Sequence, residues 1–307
     1  MNRRRQGARS LLVGAAVAWA LCAHLVPGAF AQPLVVATYN ARNYTSADRL
    51  TPDGFRPDYP KPEAEKTALR QVIKATGADV IALQEMGGPG YLSELRRDLA
   101  AEGLDYPFGE AMLAADEHRG LAVLSRVPLG AITRHVDLLA KRRGAEEPEA
   151  VRRGLFQVEV PRASGAITLF VLHLKSRLAV DRDDPLAEDQ RVAEAQAVRD
   201  RILRVFPDPS KARFLVLGDF NDLPGSRAFE AMESRGKLKV ASWVSALDSR
   251  GHAWTHSFAS QGLYSRFDHV FVADGWRHAI TRAWIEDSEA TALASDHRPV
   301  VVQWGDL

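Results

Sequence analysis

Short apolar runs recur along the chain, and polar segments separate them. Eight of these runs are rich in Val, Ile, Leu and Phe, and they span 33–39, 79–84, 120–125, 154–160, 166–174, 213–217, 267–272 and 298–304. Their length and their content of β-branched residues predict strands, most of them with one or both faces buried.

Helical periodicity marks four of the intervening segments. In 62–77 apolar residues recur near one face, and Gly77 follows as a C-cap. Similar patterns predict helices over 90–103, 186–206 and 225–233. Some strands follow one another as in hairpins, whereas others alternate with helices. The pattern therefore predicts an α/β or α+β fold with a mixed sheet system, and not a pure doubly wound fold.

The N-terminal segment differs from the rest of the chain. Four arginines and no acidic residue precede an apolar stretch that ends in Ala29-Phe30-Ala31, a small-x-small pattern. This order of regions predicts a signal peptide over 1–31 with cleavage after Ala31, and hence an exported protein, either periplasmic or secreted. The alternative is a single N-terminal anchor helix, which usually needs about 20 apolar residues.

No repeat and no Pro/Ser/Gly linker divides 32–307, which indicates one domain with a well-buried core. The single cysteine lies within the predicted signal peptide, so the mature chain has no disulfide or thiol chemistry. Cleavage lowers Lys+Arg from 40 to 36 against 39 Asp+Glu, and the net charge changes from +1 to −3. This balance excludes a protein that coats long polyanions non-specifically, so any contact with nucleic acid must be local.

The segment 141–153 is strongly charged and lies between two predicted strands. A solvated loop is the simpler interpretation, and an arm that grips phosphate is the alternative.

Polar or ionisable groups stand at the ends of six predicted strands. They are Asn40 in "TYN", Glu85 in "LQE", His173 in "VLHLKS", Asp219 and Asn221 in "GDFND", Asp268 in "RFDHV", and Asp296 and His297 in "ASDHRP". Each group alone is an ordinary turn or surface residue. Together they have the composition that attack of water on a phosphate ester requires.

Hydrolysis of a phosphate ester needs a hard divalent cation, because the substrate is anionic and charge builds up in the transition state. Such a cation prefers oxygen ligands. The carboxylates of Glu85, Asp219 and Asp296 supply them, while Asn40 and Asn221 add neutral oxygens and amide donors. Amides matter because a site built only of carboxylates would repel the anionic substrate.

Histidine titrates near neutral pH, so His173 and His297 are candidates to move protons or to donate to a phosphoryl oxygen. If Asp268 reaches His297, it would orient the ring and stabilise the imidazolium. A zinc site is disfavoured, because the chain has no H-E-x-x-H motif and no cysteine after the predicted signal peptide.

The ordered series "YN…LQE…HLKS…GDFND…FDHV…SDHRP" resembles the metal-dependent endonuclease/exonuclease/phosphatase superfamily. This group contains pancreatic-type deoxyribonucleases, abasic-site endonucleases, neutral sphingomyelinases and inositol polyphosphate 5-phosphatases. The resemblance covers residues 34 to 304. It implies a DNase I-like four-layer α/β/β/α sandwich, in which helices flank two packed mixed β-sheets and the site lies at one edge.

The resemblance also implies Mg²⁺ or Mn²⁺ held mainly by Glu85, with Asn40 and Asp296 close by. Asp219 and Asn221 would orient the attacking water and the phosphate, and a second metal is an open alternative.

The resemblance further implies that Asp268 and His297 form a carboxylate–histidine pair at the scissile phosphate. His173 would donate a hydrogen bond to a non-bridging oxygen. Either Asp219 or His297 could take the proton of the water, and we favour Asp219. Two departures from the family pattern are His269, where a tyrosine is usual, and Arg42, where some nucleases place an acid.

The substrate class is less defined by the sequence. We expect an exported endonuclease, acting as a monomer without a membrane anchor, with Lys175, Arg177, Arg266 and Arg298 holding flanking phosphates. Ordinary ion pairs at strand ends are the alternative for these four.

Other activities on the same scaffold remain open. The segment before Asp268 lacks the Trp-Cys-Asp-Arg pattern of the 5-phosphatases, and no loop is recognisably aromatic and apolar as a bilayer-binding sphingomyelinase would need. A phosphatase or phosphodiesterase acting on a small molecule or lipid stays an alternative. A non-catalytic binding module is disfavoured, because every expected catalytic residue is present.

Overall fold

The computed structural model describes residues 33–51, 53–178 and 182–305. The predicted signal peptide lies outside the described residues. The strands are β1 (Leu34–Tyr44), β2 (Ala47–Thr51), β3 (Gly54–Tyr59), β4 (Val80–Met86), β5 (Phe108–Met112), β6 (Gly120–Ser125), β7 (Ile132–His135), β8 (Leu139–Ala140), β9 (Glu149–Ala150), β10 (Leu155–Val160), β11 (Ile167–His173), β12 (Phe214–Asp219), β13 (Ser234–Arg235), β14 (Leu238–Lys239), β15 (Ala241–Trp243), β16 (His256–Phe258), β17 (Leu263–Ser265), β18 (Asp268–Ala273), β19 (Ile280–Ile285) and β20 (Val300–Trp304). The helices are α1 (Glu63–Thr76), α2 (Pro89–Ala101), α3 (Glu188–Val205), α4 (Arg227–Glu233) and α5 (Thr291–Ala294), with 3₁₀ turns at Ala259–Gln261 and Asp274–Ala279.

Twelve of these strands form two six-stranded mixed sheets. The first has the order β19-β20-β1-β4-β6-β5, and its one parallel pair is β1 with β4. The second has the order β15-β18-β12-β11-β10-β7, and its one parallel pair is β11 with β12. The remaining strands form two-stranded ribbons, including β2–β3 and β16–β17.

Three hydrophobic clusters hold these elements in four layers. One cluster lies between the two sheets, another packs α1 and α2 on the first sheet, and the third packs α3 and α4 on the second sheet. The period of two along β1 explains this arrangement. Leu34 and Val36 point into the cluster between the sheets, whereas Ala37 and Tyr39 point towards the helices. The predicted four-layer α/β/β/α sandwich is confirmed.

The helices begin and end close to the predicted positions. Gly77 adopts the left-handed conformation at the C-terminus of α1, with φ of 62°, and its N–H donates to the Lys74 carbonyl. At α4 the Ser226 Oγ accepts a hydrogen bond from the Phe229 N–H, which is an N-cap contact.

The C-terminal ends of the two parallel pairs meet at one edge of the sandwich. Asn40 pairs in register with Gln84 in the first sheet, and His173 pairs with Asp219 in the second. The first sheet contacts the second along this edge, because the Asn40 side chain reaches Asp219. The polar groups at the strand ends are therefore gathered at one rim, which we call the site rim.

Candidate active site

Asp219 is the last residue of β12 and the centre of the site. It pairs in register with His173 on β11 and with Asp268 on β18. Gly218 allows this close pairing, because a Cβ at that position would lie 2.0 Å from the Leu172 carbonyl oxygen. "GDFND" is thus a turn whose glycine brings its carboxylate against the neighbouring strand.

Both carboxylate oxygens of Asp219 have partners, and the side chain is buried. Oδ1 accepts the Asn221 backbone N–H at 2.8 Å. Oδ2 accepts the Asn40 Nδ2 amide at 3.0 Å and lies 3.4 Å from His173 Nε2 and 3.8 Å from His297 Nε2.

His297 and Asp268 form a hydrogen-bonded pair, with 2.8 Å between Nδ1 and Oδ2. The backbone of the pair is fixed on both sides. The Thr255 hydroxyl accepts the Asp268 N–H, and the Ser295 hydroxyl accepts the His297 N–H. The imidazole is therefore held between Asp268 at Nδ1 and Asp219 at Nε2.

Burial and neighbouring charges move the pKa values in this cluster apart. Burial opposes the charged form of His297, but the carboxylates of Asp268 and Asp219 outweigh it and raise the pKa of His297 to about 10. Burial raises the pKa of Asp219 to about 7, although His297 acts in the opposite direction. At neutral pH, His297 is thus suited to donate a proton and Asp219 to accept one.

His173 lies deep in the site and is buried. Burial, reinforced by the charges of Arg153 and His297, holds the pKa of His173 well below its ordinary value, so the ring is neutral. Its Nε2 faces Asp219, while its Nδ1 has no hydrogen-bond partner within the described chain. The predicted contact to a phosphoryl oxygen remains a prediction.

Three oxygen-bearing side chains line the first sheet's part of the rim. Glu85 follows Gln84, the register partner of Asn40, and its Oε2 accepts the Asn43 N–H at 2.9 Å. On the other side, the Ser295 hydroxyl donates to the Asn40 carbonyl at 2.8 Å and places Asp296 next to it. Glu85 and Asp296 therefore flank Asn40 on opposite sides.

The backbone is strained at this rim. In the described chain, six residues other than glycine have positive φ, and four of them (Arg42 at 46°, Asn43 at 51°, Glu85 at 58° and Asn221 at 52°) belong to it. Glu85 also coincides with an irregularity in the pairing of β4 with β6. Such strain persists where the surroundings hold a side chain in a functional direction.

Two sets of groups could hold a cation. Asp219, Asp268 and His297 offer atoms within 4.8 Å of one another, but His297 is engaged with both carboxylates. Glu85, Asn40 and Asp296 instead offer hard oxygen donors, which suit Mg²⁺ or Mn²⁺. This second set fits a hard divalent cation better, and the first set is better suited to proton transfer.

The four predicted phosphate-binding cations lie in different surroundings. Lys175 Nζ donates to the Ser176 and Leu178 carbonyls, and Arg177 lies over the Phe267 ring at the site.

Arg266 is buried and donates to the carbonyls of Asp268, Ala246 and Ala253. These contacts give Arg266 a structural role, which corrects its assignment to substrate. Arg298 is paired with Asp248 and stacks on Trp254.

Two residues near the site were missed in the sequence. The His256 ring lies 4.7 Å from the His297 ring, and it belongs to a ribbon too short to give a periodic signal. Arg153 is buried, 3.3 Å from Asp116, and its Nε and Nη1 have no hydrogen-bond partner in the part of the chain that the structure describes.

The β16–β17 ribbon, residues 256–265, exposes an apolar tip beside the catalytic pair. Phe258, Leu263 and Tyr264 are 48%, 55% and 61% exposed. The Ser257 N–H donates to the Asp296 carbonyl at 2.8 Å, so the ribbon is fixed to the site. The expectation that no loop is aromatic and apolar was therefore wrong: the three residues are separated in sequence and meet only when the ribbon folds.

Within the described ranges, no helix has the length and apolar character that crossing a membrane requires.

Comparisons with known proteins bear on the family and the fold of the chain. The family model described as "Endonuclease/Exonuclease/phosphatase family" matches residues 37–297. The uncharacterised protein YbhP of Escherichia coli K12 is 24% identical over 246 residues, which cover 74% of this chain and 86% of YbhP.

Two solved structures share the fold. Beta toxin 275-280 from Staphylococcus aureus has a TM-score of 0.60 at 14% identity, over 88% of this chain and 99% of the toxin. The human Nocturnin catalytic domain has a TM-score of 0.57 at 17% identity, over 88% and 93% of the two chains.

Proposed function

The chain belongs to the endonuclease/exonuclease/phosphatase family, whose members hydrolyse phosphoesters with divalent metals, and on this basis we propose that it is an exported phosphodiesterase dependent on Mg²⁺ or Mn²⁺. Nucleic acid is the first candidate substrate, cleaved as by an endonuclease.

One observation carries this proposal: a protonated histidine and a carboxylate of raised pKa lie 3.8 Å apart, next to a set of hard oxygen donors. An ordinary structural ion pair needs no third group. Here His297 is held by Asp268 on its other side, and Glu85 and Asp296 flank Asn40 on the same rim.

A bound divalent cation would neutralise the phosphate and polarise it, with Glu85, Asn40 and Asp296 as its ligands. Asp219 takes the proton of the attacking water as the new bond to phosphorus forms. His297 donates its Nε2 proton to the leaving oxygen as the old bond breaks. Asp219 can then return its proton to His297, so the site regains its starting state.

Two further parts of the proposal, nucleic acid as the substrate and export of the protein, are supported by other observations. An exported hydrolase meets extracellular polymer, and Arg42 and Arg177 place cations at the rim where flanking phosphates would pass. Residues 1–31 have the order of regions that a signal peptide needs. N-terminal mass spectrometry of the exported chain should find Gln32 as the first residue.

In the central experiment, purified protein that begins at Gln32 is given four substrates in parallel. They are bis-p-nitrophenyl phosphate, plasmid, single-stranded DNA and RNA. Hydrolysis should require Mg²⁺ or Mn²⁺, and EDTA should stop it. Glu85→Gln should lower kcat/KM by about 100-fold or more, because a metal ligand is weakened. Glu230→Gln, an exposed position on α4, is the matched control and should leave the rate unchanged. Equal rates in the two variants would reject the metal assignment.

A lipid phosphodiester is the second candidate substrate, because the ribbon presents Phe258, Leu263 and Tyr264 to solvent beside His297. Sphingomyelin in vesicles is the test. If Phe258→Ser lowers hydrolysis of vesicle lipid but not of bis-p-nitrophenyl phosphate, the lipid hypothesis gains over the nuclease hypothesis.

A further inference from the structure

A large cavity opens beside the second sheet's part of the site rim, and its role is not explained by the chemistry at Asp219. Its volume is about 700 Å³, within the range of pockets that take small molecules. Arg142, Glu149, Arg152, Lys175, Arg182, Asp184, Ala187 and Gln190 line it.

The cavity is joined to the site by short covalent and hydrogen-bonded links. Lys175 lines the cavity and stands two residues after His173. Asn221 Nδ2 donates to the Leu174 carbonyl at 3.0 Å, so the strand end that carries Lys175 is fixed to the "GDFND" turn. A ligand in the cavity would therefore contact the strand end that also carries His173.

Positively charged side chains outnumber negatively charged ones in the lining of the cavity. Four side chains are cationic and two are acidic. Both oxygens of Asp184 accept backbone N–H groups of the first turn of α3, from Glu188 at 2.7 Å and Gln190 at 3.1 Å. Glu149 lies 3.7 Å from Arg142. The acids are thus engaged locally, and the lining keeps an excess of positive charge.

The surroundings add further positive charge. Burial is the main cause that holds the pKa of Lys175 below its ordinary value, and the positive charges of Arg153 and Arg152 act in the same direction. Crowding of cations costs free energy in the unliganded protein, and an anion would relieve it. Arginine guanidinium groups are well suited to phosphate oxygens, which they can contact through two parallel hydrogen bonds.

We propose that this cavity binds a second phosphate group of the substrate, next to the one that is cleaved. This inference rests on the proposed function and defines its specificity. The second phosphate can come from the next linkage of a polymer or from the terminal phosphate of a short substrate, and both have the same chemistry.

The test compares kcat/KM for substrates that differ by one phosphate. Thymidylyl-thymidine has only the scissile diester, its 5′- and 3′-phosphorylated forms carry a terminal phosphate, and a single-stranded tetranucleotide carries internal ones. At least one phosphorylated form or the tetranucleotide should be preferred by about tenfold or more, mainly through KM, as expected of one charge-assisted contact. Which of them is preferred identifies the source of the phosphate.

Arg152→Gln and Arg182→Gln should each reduce this preference, while Arg204→Gln, exposed at the other end of α3, should retain it. Thermal unfolding of each variant checks that the fold persists.

The proposal fails if the substrates are hydrolysed alike, or if the preference survives in the double variant Arg152→Gln/Arg182→Gln. Hydrolysis of bis-p-nitrophenyl phosphate tests the proposed function separately, since that substrate has no second phosphate. Activity on it without any preference would reject the cavity's role alone.

Discussion

Replacing Asp268 by Asn is the most direct test of the catalytic pair. The substitution keeps the shape of the side chain and removes its charge. In the folded protein Asp268 is fully buried, and its Oδ2 lies 2.8 Å from His297 Nδ1. The variant therefore perturbs one interaction of known geometry.

The size of the effect follows from that contact. A hydrogen bond to a charged group contributes about 1.5–3 kcal/mol, and each 1.36 kcal/mol corresponds to about tenfold in rate. This gives a loss of roughly 10- to 150-fold in kcat/KM if the ring keeps its orientation. The Asn amide also has to place an N–H₂ group either at the position of Asp268 Oδ1, which has no partner in the described chain, or against His297 Nδ1. In the second orientation Nδ1 becomes an acceptor and the ring stays neutral, so Nε2 keeps its proton but is a much weaker acid than the imidazolium, and the loss of rate is larger still.

The assay is hydrolysis of bis-p-nitrophenyl phosphate at saturating Mg²⁺, with circular dichroism and thermal unfolding to confirm the fold. Asp137→Asn is the matched control. Asp137 is exposed and belongs to another cluster that contains a histidine, because Arg201 contacts both Asp137 and His135. We expect the control to keep the wild-type rate.

The pH dependence gives a second readout. Asp268 is the strongest of the groups that raise the pKa of His297, so the pKa of that ring should fall in Asp268→Asn. Because the imidazolium is the donor, the loss of rate at high pH should begin at a lower pH in the variant. A rate within about threefold of wild type, or an unmoved basic limb, would refute the role of the pair.

Three other changes test the framework around the site. Arg191→Met should lower the free energy of unfolding, measured in urea, by about 3–5 kcal/mol. The reason is that Arg191 Nε lies 3.1 Å from the buried carboxylate of Asp222, which the variant leaves without this partner. A loss below about 1 kcal/mol would contradict this prediction. Burial holds the pKa of Glu194 above its ordinary value, so its ionised form opposes folding at neutral pH and the penalty vanishes as the group protonates. Glu194→Gln should therefore gain melting temperature over wild type as the pH rises from about 4 to 8, whereas a constant difference would argue against it. Gly218→Ala should lower both activity and stability, since its Cβ would overlap the Leu172 carbonyl; wild-type kcat/KM with normal melting would contradict the close approach.

Long, strongly periodic segments could be predicted well from the sequence. The apolar stripe of 186–206 corresponds to α3 (Glu188–Val205), and the predicted strand 166–174 corresponds to β11 (Ile167–His173). Such segments bury one continuous face, and burial sets the same period in sequence and in structure. The position of the candidate site residues at the ends of strands was also visible in the sequence, because each lies at or near one end of a buried strand, and their roles stay predictions.

The remaining features depend on contacts between distant segments. Arg266 looked like a phosphate ligand beside Asp268, yet its guanidinium turns inward to carbonyls that come from other loops. Most of the charged segment 141–153 is exposed, as a solvated loop would be, but not all of it is. Part of it pairs in the β8–β9 ribbon, Arg142 and Arg152 line the cavity, and Arg153 is buried. Charge alone does not tell these outcomes apart.

The pairing of β1 with β20 sets a condition on when the enzyme can act. Leu34 is opposite Trp304, so the start and the end of the described chain are neighbours in the first sheet. Only two residues separate His297 from the start of β20, and Asn40 lies within β1. We expect a nascent or partly threaded polypeptide to lack an assembled site, since its last strand has not yet arrived. A phosphoester hydrolase of this kind would remain inert until synthesis was complete.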